Sequence, residues 1–161
     1  MSEPGIESID RVVAARRLPE FASLLELALT AQARARAPYS GFRVGAAVLA
    51  GSGAMYPGCN VESASYGATI CAERSAVVGA ISAGEMTIRA CVVVTPTADP
   101  SSPCGICRQL LAEWGPDVEI YAASSEGTGV YAARLSDLLP LAFWARNLKD
   151  AAPSSRAQDE R

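Results

Sequence analysis

The sequence predicts an α/β sandwich built on one mixed, five-stranded sheet. Three observations carry that expectation. Segments of helical and extended character follow one another in the order α-β-β-α-β-α-β-β. The first two extended runs, "RVGAAVLA" at 43–50 and "AMYPGCNV" at 54–61, are separated only by "GSG", the signature of an antiparallel hairpin. The later extended runs are divided by helical stretches, which act as crossovers on a sheet.

The elements follow in order. Residues 1–17 read as a flexible lead-in. From Pro19, "PEFASLLELALTAQARARA" spaces Phe21, Leu24, Leu25, Leu27 and Leu29 at helical intervals and meets no breaker until Pro38. "RVGAAVLA" is short, apolar and rich enough in β-formers for a buried strand, and the hairpin partner follows. "CAERSAVVGAISAG" at 71–84 is a helix closed by Gly84. "TIRACVVVTP" at 87–96 is strongly β-rich, and "TPTADPSSP" after it is a loop. "CGICRQLLAEWG" at 104–115 is a second glycine-closed helix; "VEIYAAS" at 118–124 and "GVYAARL" at 129–135 are two more strands. "LSDLLP" is a helical turn, and residues 150–161 are expected to be a disordered tail, which leaves 18–149 as one domain.

Composition narrows the function. Half of the 161 residues are hydrophobic and 19% are charged, an ordinary globular mixture able to bury a core. The net charge of −3 and a pI near 5.0 argue against a polyanionic partner, so no nucleic acid is expected. "MSEPGIESID" has neither the basic nor the apolar part of a secretory signal, and no apolar run reaches membrane-spanning length. The expected compartment is the cytoplasm, where thiols stay reduced. Five cysteines (Cys59, Cys71, Cys91, Cys104, Cys107) and no histidine then suit metal binding or catalysis better than disulfides.

"PCGIC" places Cys104 and Cys107 three apart at the mouth of a helix. Residues at that interval share a helix face, and the positive end of the helix dipole favours thiolates there. A redox pair would need nothing more, whereas a metal needs further ligands. Cys71 opens another helix, and Glu73 lies two residues on. Positions i and i+2 face apart within a helix, so the two converge only if Cys71 lies at or before its first turn. Three thiolates on zinc leave one tetrahedral position open, the catalytic arrangement; a fourth from Cys59 would close it. Cys59 and Cys91 otherwise read as small, buried strand residues. Glu73 is placed to carry protons, and Arg74 to offset thiolate charge.

"C-A-E" followed some thirty residues later by "P-C-x-x-C" resembles the zinc-dependent nucleoside and nucleobase deaminases, whose glutamate is the general acid and base. Four segments are more specific: "PYSGFRVGAAV" at 38–48, "GCNVESASYGATICAER" at 58–74, "PCGICRQLL" at 103–111 and "LLPLAF" at 138–143. In this order they resemble the small homotetrameric cytidine deaminases over roughly residues 20–148. The resemblance implies a three-layer α/β/α sandwich and one zinc per chain on Cys71, Cys104 and Cys107. Glu73 would take a proton from the attacking water and deliver protons to N3 of the cytosine and to the leaving ammonia. The N–H of Ala72 would meet the pyrimidine O2, and the carbonyl of Ser102 the C4 amino group. Phe42 would pack on the base, Asn60 and Glu62 would hold the ribose, and Arg74 would support the ligand sulfurs. Tyr66 and Phe143 would serve a neighbouring subunit's site in a tetramer. The family's N-x-E-N-A pattern carries Ser63 here in place of its second asparagine, and "WARNLKD" after Phe143 departs from the usual acidic, small-residue character. Two other readings stand beside cytidine deamination: a deaminase of a modified cytosine nucleoside, and a non-catalytic zinc module.

Overall fold

In the computed structural model, residues 5–115 and 117–150 are described. In chain order the elements are β1 (Glu7–Asp10), α1 (Arg11–Arg17), α2 (Phe21–Gln32), β2 (Gly45–Ala50), β3 (Met55–Cys59), α3 (Ala72–Ser82), β4 (Ile88–Thr95), α4 (Gly105–Trp114), β5 (Glu119–Ser124), β6 (Gly129–Arg134), α5 (Leu135–Leu138) and α6 (Ala145–Asp150). The central strands are apolar along nearly their whole length because both of their faces are covered. Ala47 and Leu49 of β2, Ala90, Val92 and Val94 of β4, and Tyr121 and Ala123 of β5 pack with Phe21, Leu24, Leu25 and Ala28 of α2. The alternate residues Val48, Cys91 and Ile120 pack with Ala76, Val77 and Ala80 of α3 and Leu111 of α4. Side chains on a strand alternate between faces, so these two clusters define three layers, α/β/α.

The sheet runs β1-β6-β5-β4-β2-β3. β4 and β5 are parallel, joined over the top by α4, and every other pair is antiparallel. The sheet therefore has six strands where the sequence predicts five. The extra strand falls in the segment expected to be a flexible lead-in: Glu7 to Asp10 pair with Ala132 to Gly129 of β6. Only four residues long and exposed at three of them, it has no visible alternation. α1 follows directly, with the Asp10 side chain capping it by accepting from the Val13 N–H at 2.8 Å. Arg17 Nη2 reaches back to Glu7 Oε2 at 2.6 Å.

Two further differences have local causes. The helix expected to run to Pro38 ends at Gln32. Arg36 has left the helical path because its N–H donates to Asn60 O at 3.0 Å and its carbonyl accepts from Glu62 N at 2.8 Å. "LSDLLP" forms α5 as expected, but α6 adds a helix that the sequence reading does not contain. The tail from 151 to 161 lies outside the described residues.

Gly58 sets how closely α3 approaches the sheet. A Cβ there would stand 2.3 Å from Ala76 N and 2.5 Å from Ala72 O, both backbone atoms of α3. Gly58→Ala must therefore push α3 off β3, at a cost of about 1–3 kcal/mol. Urea denaturation should show a lower midpoint with an unchanged slope; an unchanged midpoint would contradict the close approach.

Candidate active site

Two helices begin at cysteines. Cys71 is the residue before α3 (φ −75°, ψ 159°) and Cys104 the residue before α4 (φ −67°, ψ 167°), both extended. Neither side chain caps its own helix, so both sulfurs are left to point elsewhere. Cys104 thus sits one residue outside the helix rather than in its first turn. Cys107 follows in that turn, wholly buried. The Cys71 and Cys104 sulfurs lie 3.9 Å apart, those of Cys104 and Cys107 3.5 Å, and all three within 4.8 Å of one another.

A tetrahedral zinc with Zn–S bonds of about 2.3 Å needs sulfurs about 3.8 Å apart, so this donor set fits zinc in identity and in spacing. Among the described residues these three cysteines form the group able to hold a metal. Cys59 does not join them: it lies half-buried on β3 opposite Gly45, and Cys91 is fully buried in β4. The sulfurs share protons unequally. Cys71 is lowered to about 6, chiefly by the hydrogen bond from Cys107, against the effect of burial, and helped by Cys104 and the Arg74 charge. Cys107 is pushed up correspondingly. Metal binding therefore has to displace thiol protons.

Glu73 stands in the first turn of α3, 5% exposed. With Cys71 just outside the helix, the two side chains can reach one place despite their spacing. Burial holds the carboxyl above its ordinary range, and the Cys71 charge adds to this. A carboxyl near a metal and able to keep a proton is suited to proton transfer.

The three-cysteine group opens onto a cavity of about 310 Å³. Its walls include Cys71, Cys104, Glu73, Phe42, Asn60, Glu62, Ala72 and Ser102, with apolar Val44, Ile70 and Val93. Of the residues expected to contact substrate, the fold thus brings together Phe42, Asn60, Glu62, Ala72 and Ser102. Ala72 is the first residue of α3, where main-chain N–H groups have no helical acceptor. Gly41, at φ +70°, makes the turn that delivers Phe42.

Asn60 and Glu62 are expected as alternating residues of a strand. They lie instead just past β3, where Val61 makes isolated bridges to Arg36 and Ile70. Their side chains organise the facing loop. Asn60 Oδ1 accepts from Val44 N and its Nδ2 donates to Phe42 O, both at 2.8 Å. Glu62 accepts from the N–H groups of Tyr39 (2.8 Å) and Ser40 (3.2 Å) and from the Ser40 hydroxyl. The Ser40 hydroxyl, then these amides, hold its carboxyl below the ordinary 4.5. Ser63 also holds its loop: its hydroxyl accepts from Ser65 N at 3.2 Å and its N–H donates to Thr69 Oγ1 at 3.1 Å.

Tyr66 and Phe143 do not line the cavity of their own chain. Tyr66 is 77% exposed and meets Tyr39 edge-on at 6.0 Å. Phe143 is 54% exposed, its N–H and carbonyl both paired with the Gln109 side chain. Arg74 Nη2 donates to Thr69 O at 3.4 Å, and its charge favours the Cys71 thiolate.

One structural residue of the site is missing from the sequence reading. Arg108 donates to Pro103 O (2.7 Å), Ser102 Oγ (2.7 Å) and Leu138 O (3.0 Å), fixing the segment that carries Ser102 and Cys104. A signal exists: a cation in the second turn of a helix is poorly placed for the dipole, so it must reach carbonyls nearby.

The family description "Cytidine and deoxycytidylate deaminase zinc-binding region" matches residues 20–123. The chain is 43% identical over 128 residues to a cytidine deaminase of Halalkalibacterium halodurans, covering 79% of this chain and 96% of that one. Its fold resembles the crystal structure of cytidine deaminase from Burkholderia pseudomallei (44% identity, 76% of this chain and 98% of that chain, TM-score 0.72). The corresponding enzyme of Mycobacterium tuberculosis is similar at 40% identity, 77% and 97% coverage and a TM-score of 0.67.

Purified protein should carry one zinc per chain. Cys71→Ser, Cys104→Ser and Cys107→Ser should each lose most of it, whereas Cys59→Ser should keep it in full. Elemental analysis after dialysis decides, and zinc loss in Cys59→Ser would overturn the three-sulfur assignment.

Proposed function

The chain belongs to the cytidine and deoxycytidylate deaminase family, and on that premise we propose that it hydrolyses the C4–N bond of cytidine and 2′-deoxycytidine. One water is consumed; uridine or deoxyuridine and ammonia are released. The observation that carries the reading is the buried Glu73 carboxyl, set in one cavity with the cysteine group and otherwise largely apolar walls. Zinc held by Cys71, Cys104 and Cys107 supplies, when bound, Lewis-acid activation of water as the nucleophile.

The side chains divide the remaining work. Glu73 takes a proton from that water and passes it to N3 as C4 becomes tetrahedral. It then takes the proton of the new C4 hydroxyl and delivers it to the amino group as the C–N bond breaks and the C4 carbonyl forms. Its raised proton affinity suits it to hold a proton between these steps. Phe42 supports the face of the base. The Ala72 N–H meets O2, and the Ser102 carbonyl accepts from the C4 amino group. Asn60 and Glu62 receive the ribose hydroxyls while holding the Phe42 loop, so sugar binding and base stacking are mechanically linked. Arg74 moderates the thiolate charge.

The active form is a tetramer in the cytoplasm, serving pyrimidine salvage. Supporting the assembly, Tyr66, Ile106, Leu141 and Phe143 are large apolar side chains left exposed on one chain, and Tyr66 and Phe143 would complete a neighbour's cavity. Among the described residues no helix is long and apolar enough to cross a membrane.

Incubation with cytidine, followed by the ultraviolet change on uridine formation, tests the reaction. Conversion abolished by a chelator and restored by zinc is expected. No conversion by protein holding one zinc per chain would sink the cytidine reading and leave a modified cytosine nucleoside or a non-catalytic zinc module. Glu73→Gln should keep its zinc and its melting temperature yet lose at least about 10²–10⁴-fold in kcat. Near-normal turnover would remove Glu73 from the proton path. Light scattering should give four times the chain mass; a monomer with full activity would exclude Tyr66 and Phe143 from a shared site.

A further inference from the structure

The turn joining β5 to β6, at 125–128, is tied to both loop walls of the cavity. On one side the Ser124 hydroxyl, wholly buried, donates to Thr97 O at 2.5 Å, and Ser125 N donates to Thr95 O at 3.0 Å. Thr95 Oγ1 accepts in turn from Ser101 N at 3.2 Å, and Thr95, Ser101 and Ser102 all line the cavity. On the other side Gln32 Nε2 donates to Ser125 Oγ at 3.3 Å and to Arg43 O at 3.0 Å. Arg43 lies between Phe42 and Val44, which form the facing wall.

The turn itself is held from a distant part of the chain. Arg11 Nη2 donates to Ser124 O at 2.9 Å and to Gly127 O at 2.8 Å. Arg11 opens α1, in the segment that precedes the 20–123 matched by the family description. Charge-assisted bonds to two main-chain carbonyls are well suited to fixing a turn that its own backbone bonds leave open.

We propose that Arg11 is a positioning residue for the substrate cavity, setting through the β5–β6 turn the separation of the Ser101–Ser102 wall from the Phe42–Val44 wall. This rests on the reading of that cavity as the nucleoside site. Arg11 is not among the cavity-lining residues, so it acts on how firmly the walls are presented. The N-terminal segment thereby becomes part of the determinants of substrate binding, although it precedes the residues that the family description matches.

The test compares Arg11→Met, Arg11→Lys and Ser124→Ala with the unaltered protein. Arg11→Met should raise KM for cytidine about three- to tenfold and leave kcat within about twofold, with zinc content unchanged. Arg11→Lys keeps a cation with donors for both carbonyls and should recover most of the loss. Ser124→Ala should also raise KM, and the double variant should show less than the combined effect, because both act on one turn. Amide hydrogen exchange at Ser101 and Val44 needs no turnover: it should quicken in Arg11→Met well below the melting temperature. A lower melting temperature with unchanged KM and unchanged exchange at Ser101 and Val44 would reduce Arg11 to a stabilising contact and overturn the proposal. If the unaltered protein fails to convert cytidine, the functional reading falls, and the exchange data alone decide the part played by Arg11. Should Arg11→Met not fold, Arg11→Gln takes its place, with the same rise in KM expected and the same result overturning the proposal.

Discussion

The meeting of three sulfurs between two helix starts is the constraint to which the rest of the molecule answers. Cys71 and Cys104 precede different helices, yet their sulfurs must stand 3.9 Å apart. That requires α3 and α4 to be laid side by side on one face of the sheet with their first turns in register. The parallel pair β4–β5 fixes α4, since a crossover helix must return over the face it left. The hairpin β2–β3 fixes α3, with Gly58 letting backbone lie against backbone. The opposite layer, with Phe21 and Leu24 buried in it, packs against the other face of the same strands.

Electrostatics follow from the same placement. The cysteines lie at the starts of α3 and α4, where the positive end of the helix dipole eases the gathering of negative charge. Glu73 is drawn into this region by its position in the first turn and is buried by it. Its carboxyl therefore keeps a proton more readily than an exposed glutamate, because desolvation and the nearby thiolate act in the same direction. A single geometrical arrangement thus sets three sulfur donors and a buried carboxyl that favours a proton in one place.

Much of this was legible in the sequence because it is encoded locally. The spacing of Cys104 and Cys107, the need for Cys71 to lie outside its helix, and the continuous apolar runs of the central strands all depend on neighbours in the chain. What could not be read depends on partners far away. β1 has four residues and little alternation, and exists because β6 offers an edge. Gln32 ends α2 because Arg36 is claimed by the backbone of Asn60 and Glu62. Arg108 and Arg11 look like surface cations until the carbonyls that they hold come into view. Asn60 and Glu62 show a further limit: the resemblance implies contact with a sugar, whereas their bonds to Tyr39, Ser40, Phe42 and Val44 show an architectural duty that their chain neighbours do not reveal.

The two margins of the sheet bear on how copies of this chain can meet. At one margin stands β1, too short to template a long ribbon and bearing the carboxylates of Glu7 and Asp10. At the other, β3 carries Pro57, which lacks an N–H to offer a further column of ladder bonds. An approaching strand finds poor purchase on either side, so edge-on polymerisation into fibres is disfavoured. Self-association is left to the helical and loop surfaces, where contacts related by a rotation can close on themselves and stop at a finite number of copies.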